Sequence, residues 1–161
     1  MRGLALAPVN TSAPSTGNLY LVVGFDGSPP AIRALDAAVA LLHGRTGDID
    51  VVYVAHLTSL EMLSADATAE MELSFDEVER DLRAQAGEQL RGREERWRFE
   101  RRQGVITDQL IAVAAQIRDA HDPGDNVAIV VGSSSHAMHR MVGSAAIGLA
   151  RHSPVPLVIV P

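Results

Sequence analysis

The chain has 161 residues, 47% hydrophobic and 21% charged, the composition of one folded domain long enough to bury a substantial core. Cysteine is absent and all 14 basic residues are arginine, which excludes disulfides, thiolate metal sites, cysteine nucleophiles, lysine Schiff bases and a lysine-bearing P-loop. A formal net charge of −6 argues against nucleic-acid partners, because a phosphate-tracking surface is basic.

That charge is localised. Residues 59–96 hold 11 Asp/Glu against 5 Arg, and the difference of −6 is the whole imbalance. Residues 1–18 are rich in Pro, Ser, Thr, Asn and Ala and are expected to be a mobile leader before a domain spanning 19–161. The leader lacks a signal-peptide core, and no apolar run reaches the ~20 residues needed to cross a bilayer. A cytoplasmic location without a membrane partner is therefore expected.

Leu19 to Val23 is a continuous apolar run ending at Gly24, and reads as a buried strand. Phe25-Asp-Gly-Ser-Pro-Pro30 then serves as turn and helix start, with Ser28 at the N-cap and Pro29 at the first helical position. Ala31, Ala34, Leu35, Ala38 and Leu42 share one helical face, and Gly44 stops the helix. The second strand runs from Ile49 to His56. From Leu57 to Ser74 the polarity is mixed, which predicts a partly helical loop. Phe75, Val78, Leu82, Ala86 and Leu90 then mark an amphipathic helix capped by Ser74, its charged side an ordinary solvated face.

Arg96 to Arg101 alternates in polarity, as a strand near a sheet edge does, with Trp97 and Phe99 as packing residues. Thr107 is placed to cap the next helix, which turns Leu110, Ala114 and Ile117 inward and ends at His121-Asp-Pro-Gly124. Val127 to Val131 is the fourth strand and stops abruptly at Gly132 and three serines. Gly143-Ser144 opens a fourth helix, and Pro154 to Val160 forms the fifth strand. Such βαβαβαβαβ alternation demands an α/β fold: an open parallel sheet with helices on both faces and right-handed connections.

In such sheets ligands bind beyond the carboxyl ends of the strands, where strand order reverses. Two loops carry suitable chemistry. The first holds Gly24, Asp26, Gly27 and Ser28, and the second runs from Gly132 to Ser144. Asp26 can accept hydrogen bonds from a ribose or help hold a magnesium ion, or it can close an Asx-turn. Gly143-Ser144 can cradle a phosphate on the free N–H groups of the helix it opens, or act as a plain cap. Gly-Ser-Ser-Ser-His136 is not the G-x-S-x-G elbow of a serine hydrolase. His136 and His139 lie three apart with no evident third ligand. Neither a metal site nor a catalytic residue is expected.

Over residues 19–161 the chain resembles the universal stress protein family. The resemblance rests on Val22-Val-Gly-Phe-Asp-Gly-Ser28, Val52-Tyr-Val-Ala-His56, Ile129-Val-Val-Gly-Ser133 and the closing stretch from Gly143 to Val160. It implies a five-stranded sheet in the order 3-2-1-4-5 (the adenine nucleotide alpha hydrolase-like architecture), with strands 1 and 4 at the switch point. It also implies ATP, with or without Mg²⁺, bound through a G-x2-G-x9-G-[ST] motif in a module without strong catalysis. Gly132 matches the first glycine and Gly143 with Ser144 the final pair, while Asp26 matches the acidic residue after strand 1. Val54 matches the strand-2 position whose backbone meets adenine.

Two departures stand out. The second motif glycine falls on Ser135, and the loop to Gly143 is two residues short and carries His136, Met138, His139 and Arg140. Ser133, Ser135 and Ser144, with Arg140, are the groups left to hold a phosphate. AMP or a cyclic nucleotide is an alternative ligand for the same crevice. The family resemblance further implies a homodimer through Val155 to Val160, and a nucleotide-free dimer acting through protein contacts is the rival function.

Overall fold

The computed structural model describes residues 17–55, 65–92, 96–133 and 143–161, with residues 65–70 described as backbone only. The elements alternate as β1 (Leu19–Gly24), α1 (Pro29–Leu42), β2 (Gly47–Ala55), α2 (Ala65–Gln89), β3 (Arg96–Gln103), α3 (Ile106–Ala120), β4 (Asn126–Gly132), α4 (Ser144–His152) and β5 (Leu157–Val160). The strands form one parallel sheet in the order β3-β2-β1-β4-β5. This is the expected fold class and strand order.

The uncharged β1 sequence explains its central place, because both of its faces are covered. Leu21 and Val23 point into a core shared with Leu35 and Leu42 of α1 and Leu82 and Ala86 of α2. Val22, between them, points the other way, into a core with Leu110 and Val113 of α3 and Leu149 of α4. Period-2 alternation thus feeds two layers from one strand. At the amino ends of the strands, Asn18 N–H donates to Asp125 Oδ1 at 2.8 Å. The rest of the leader lies outside the described residues, as does His56 after β2.

Ser28 and Pro29 start α1 as expected. The Ser28 hydroxyl accepts from Ala31 N–H at 3.4 Å, and Gly44 takes the positive φ (72°) of a helix stop. Two helix starts differ from the sequence reading. Thr107 is not the cap of α3, since the N-cap is Val105, which has no hydroxyl to offer. Thr107 instead stands in the first turn against α4, where its Oγ1 lies 2.9 Å from the place a Cβ on Gly148 would occupy. Ser74 is not a cap either; α2 begins at Ala65 and carries Ser74 in its interior.

The reason for the longer α2 lies across the sheet. Arg101 of β3, only 19% exposed at its side chain, meets Glu72 at 3.3 Å, Asp76 at 2.9 Å and Glu79 at 3.5 Å. Gln103 adds a hydrogen bond to Glu72 at 3.1 Å. Among the described side chains, α2 is therefore seated by charge around Glu72 to Glu79 and by the apolar face Leu82, Ala86 and Leu90 beyond it. Part of the acidic segment is paired with one half-buried arginine.

On the opposite face β3 carries charged residues, of which Arg96 and Arg98 pair with Asp48 and Asp50 of β2 while Arg102 pairs with Glu100 of β3 itself. Asp50, 4% exposed, is held bidentately by Arg98 at 2.5 and 3.1 Å. That bond raises the guanidinium pKa above its ordinary value. Trp97, half-buried on the α2 side, packs where α2 narrows; its ring lies 3.6 Å from the place a Cβ on Gly87 would occupy.

Candidate functional site

Strand order reverses at β1. The chain leaves β1 for α1 on one face, and leaves β4 for α4 on the other. A gap must open between the two departing connections, and it does: a crevice of about 480 Å³ lies above the carboxyl ends of β1 and β4, within the ~300–1,000 Å³ range of small-molecule sites. Asp26 and Ser28 line it from the β1 connection, Val54 from the end of β2, Gly132 and Ser133 from β4, and Gly143 and Ser144 from the start of α4.

The phosphate-cradle chemistry sits at α4. Gly143 is its N-cap at φ −59°, ψ 157°, with no side-chain cap hydrogen bond. The first-turn N–H groups have no intrahelical acceptor and carry the positive end of the helix dipole. Ala145 and Ala146 also line the crevice, so two of those N–H groups belong to lining residues that add only a methyl. Arg151 and His152 in the last turn complement the opposite end.

Gly132 is required by packing. A Cβ there would lie 2.3 Å from the Pro30 carbonyl oxygen and 2.6 Å from Pro30 Cβ, so β4 can end against the start of α1 only without a side chain. Ser133 follows, its N–H donating to Val160 O at 2.7 Å, which fixes the β4 end where this residue lines the crevice. Asp26 is exposed, and its Oδ1 accepts from Ser28 N–H at 3.0 Å. The Asx-turn and the ligand-facing reading thus coexist at one residue, since the turn occupies one carboxylate oxygen.

Six of the nine sequence-predicted site residues therefore meet in one crevice: Asp26, Val54, Gly132, Ser133, Gly143 and Ser144. Gly27 is not among the lining residues. It has φ +76° and turns its α-carbon toward α2, where a Cβ would come within 2.6 Å of Leu82 and Gln85. Ser135 and Arg140, with His136, Met138 and His139, lie outside the described residues.

Sequence reasoning missed the apolar wall, made by Ile106 and Leu110 of α3 with Tyr53 of β2. Leu110 was assigned only to the core. The signal was present in the fold rule, because the connection after β3 must cross the same end of the sheet. Asp26 is the one charged side chain among the described lining residues. Among the described residues, an anion entering here therefore finds the start of α4 and the serines of the lining. No group of three His, Asp or Glu among the described residues is placed to hold a metal ion, and no described helix is long and apolar enough to cross a membrane.

The model of the universal stress protein family matches residues 20–161. No curated protein matches the chain. Among solved structures, the hypothetical protein MJ0577 aligns at 14% identity and a TM-score of 0.71, covering 88% of this chain and 94% of that one. A universal stress protein in complex with cAMP aligns at 21% identity and TM-score 0.60, covering 89% and 97%. An Arabidopsis thaliana universal stress protein family protein with AMP bound aligns at 12% identity and TM-score 0.60, covering 88% and 90%.

Proposed function

The chain belongs to the universal stress protein family, and on that premise we propose that it is a stress-associated module binding an adenine nucleotide in the crevice between β1 and β4. The observation that carries this reading is that the start of α4, which takes no side-chain cap from the described residues, lines one gap with Gly132, Ser133 and Asp26. Free N–H groups and hydroxyls suit a phosphate, the apolar wall suits a base, and Asp26 suits a ribose hydroxyl or a phosphate-bound Mg²⁺. Two structures of the same fold carry cAMP and AMP, which supports the adenine part. ATP is the ligand the G-x2-G-x9-G-[ST] resemblance favours. We read the module as a binder, because Asp26 is the one charged side chain among the described residues that line the crevice.

Calorimetry with ATP·Mg²⁺, AMP and cAMP tests this on the wild type and on Gly143→Val. The Gly143 backbone angles suit any L-residue, so the substitution adds an isopropyl group at a crevice-lining position without backbone strain. Wild type is expected to bind at least one of the three below ~1 mM, and the variant at least ~10-fold more weakly. No heat from wild type with any of them removes the nucleotide reading and leaves the nucleotide-free dimer.

The dimer belongs to both readings. We propose that β5 pairs with a second copy along its free edge. Its residues Leu157 to Val160 are all half-buried, and Ile147 of the covering helix α4 is 44% exposed, so an unpaired apolar edge would otherwise face water. Light scattering at ~50 µM should give twice the chain mass, since obligate pairs assemble well below that concentration; a monomer mass refutes the pairing.

A further inference from the structure

We propose that Gln85 of α2 is a positioning residue for Asp26, setting from behind the loop the affinity of the crevice for ribose-bearing ligands. This rests on reading the crevice as the nucleotide site. The loop from Phe25 to Ser28 is held on three sides. Phe25 N–H donates to Val52 O at 2.9 Å and its ring is buried, which fixes the lower end. Ser28 N–H donates to Asp26 Oδ1 and the Ser28 hydroxyl caps α1, which fixes the far end.

The third side is α2. Gln85 Nε2–H donates to the Gly27 carbonyl at 3.2 Å, and the Gly27 α-carbon abuts Leu82 and Gln85 with no room for a side chain. Asp26 precedes this clamped residue and faces the crevice, while Gly27 faces the helix. The Gly27 carbonyl and the Ser28 N–H belong to one planar peptide unit, so the tie from Gln85 also orients the N–H that holds Asp26 Oδ1.

A second glutamine supplies a structural control for Gln85. Gln89, one helical turn on, donates through Nε2 to Asp36 Oδ1 of α1 at 2.7 Å. The two amides at i and i+4 form one stripe toward the α1 side. Gln89 ties helix to helix and Gln85 ties helix to loop. Only the second tie reaches a residue beside the site.

Gln85→Met keeps length and apolar stem and removes the donor; Gln89→Met is the structural control. AMP and its 2′,3′-dideoxy analogue, which lacks the hydroxyls Asp26 would hold, are titrated against wild type and both variants. Gln85→Met is expected to weaken AMP about fivefold, the worth of one hydrogen bond, and to leave the dideoxy analogue within about 1.5-fold. Gln89→Met leaves both ligands at the wild-type value. Equal losses for AMP and the analogue, or no loss for either, overturn the positioning role. A wild type that binds no adenine nucleotide in the calorimetry above removes the nucleotide reading and this inference with it, whereas wild-type binding with an unchanged Gln85→Met removes this inference alone.

Discussion

Gly132→Ala is expected to cost about 2–3 kcal/mol and roughly 8 °C of melting temperature, as an overpacked methyl in a well-filled site does. The added Cβ meets the Pro30 carbonyl oxygen at 2.3 Å and its carbon at 2.4 Å. These are backbone atoms in a Pro29-Pro30 pair at the first turn of α1, where φ is fixed by both rings and a small rotation cannot relieve the clash. Either β4 or α1 must shift. Since α1 carries the Asp26–Ser28 loop at its start, the same substitution should also weaken the nucleotide. Differential scanning calorimetry reads the first effect; a melting temperature within ~1 °C of wild type would show that the close approach has slack. The motif glycine at 132 is thus demanded by packing before any ligand is considered.

Leu149→Ala is the second large effect, about 3 kcal/mol, at the lower end of cavity-forming leucine truncations because a nine-residue surface helix can partly collapse. α4 sends only Ala146 and Leu149 into the core, and Leu149 is fully buried against the layer that holds Leu110 and Ile129. Truncation removes most of what seats α4 on the sheet, and with it the alignment of the first-turn N–H groups. The urea midpoint should fall by roughly 1–2 M with an unchanged slope, and AMP affinity should fall with it. A midpoint shift below ~0.3 M would mean that α4 is held by something other than this side chain.

The parts of the fold legible in the sequence are those where one physical signal acts alone. Ser28 before Pro29 could only start a helix, and the apolar runs at Leu19 and Val127 could only be interior strands. The first ten residues of α2 were not legible, because the described ties that hold them, from Arg101 and Gln103 to Glu72, come from a strand that follows the helix. Spacing rules see a helix's own apolar face and are blind to a distant cation. Thr107 misled for a related reason: a hydroxyl near a helix start suggests a cap, but this one faces Gly148 of a helix that comes later. In the crevice, the glycines and serines were legible from their residue types. Gly27 was assigned to the ligand, although its positive φ and its α2 contacts make it the back of the loop.

Trp97 has a practical consequence. It is the chain's one tryptophan, and it stands in the seam between β3 and α2, a helix seated by both charge and apolar packing. Its fluorescence therefore reports that seam and no other region, whereas circular dichroism averages over all helices. If the α2 seam loosens before the β1–β4 centre of the sheet does, the two signals will trace separate unfolding curves. A single chromophore so placed turns an ordinary denaturation experiment into a measurement of cooperativity across the sheet.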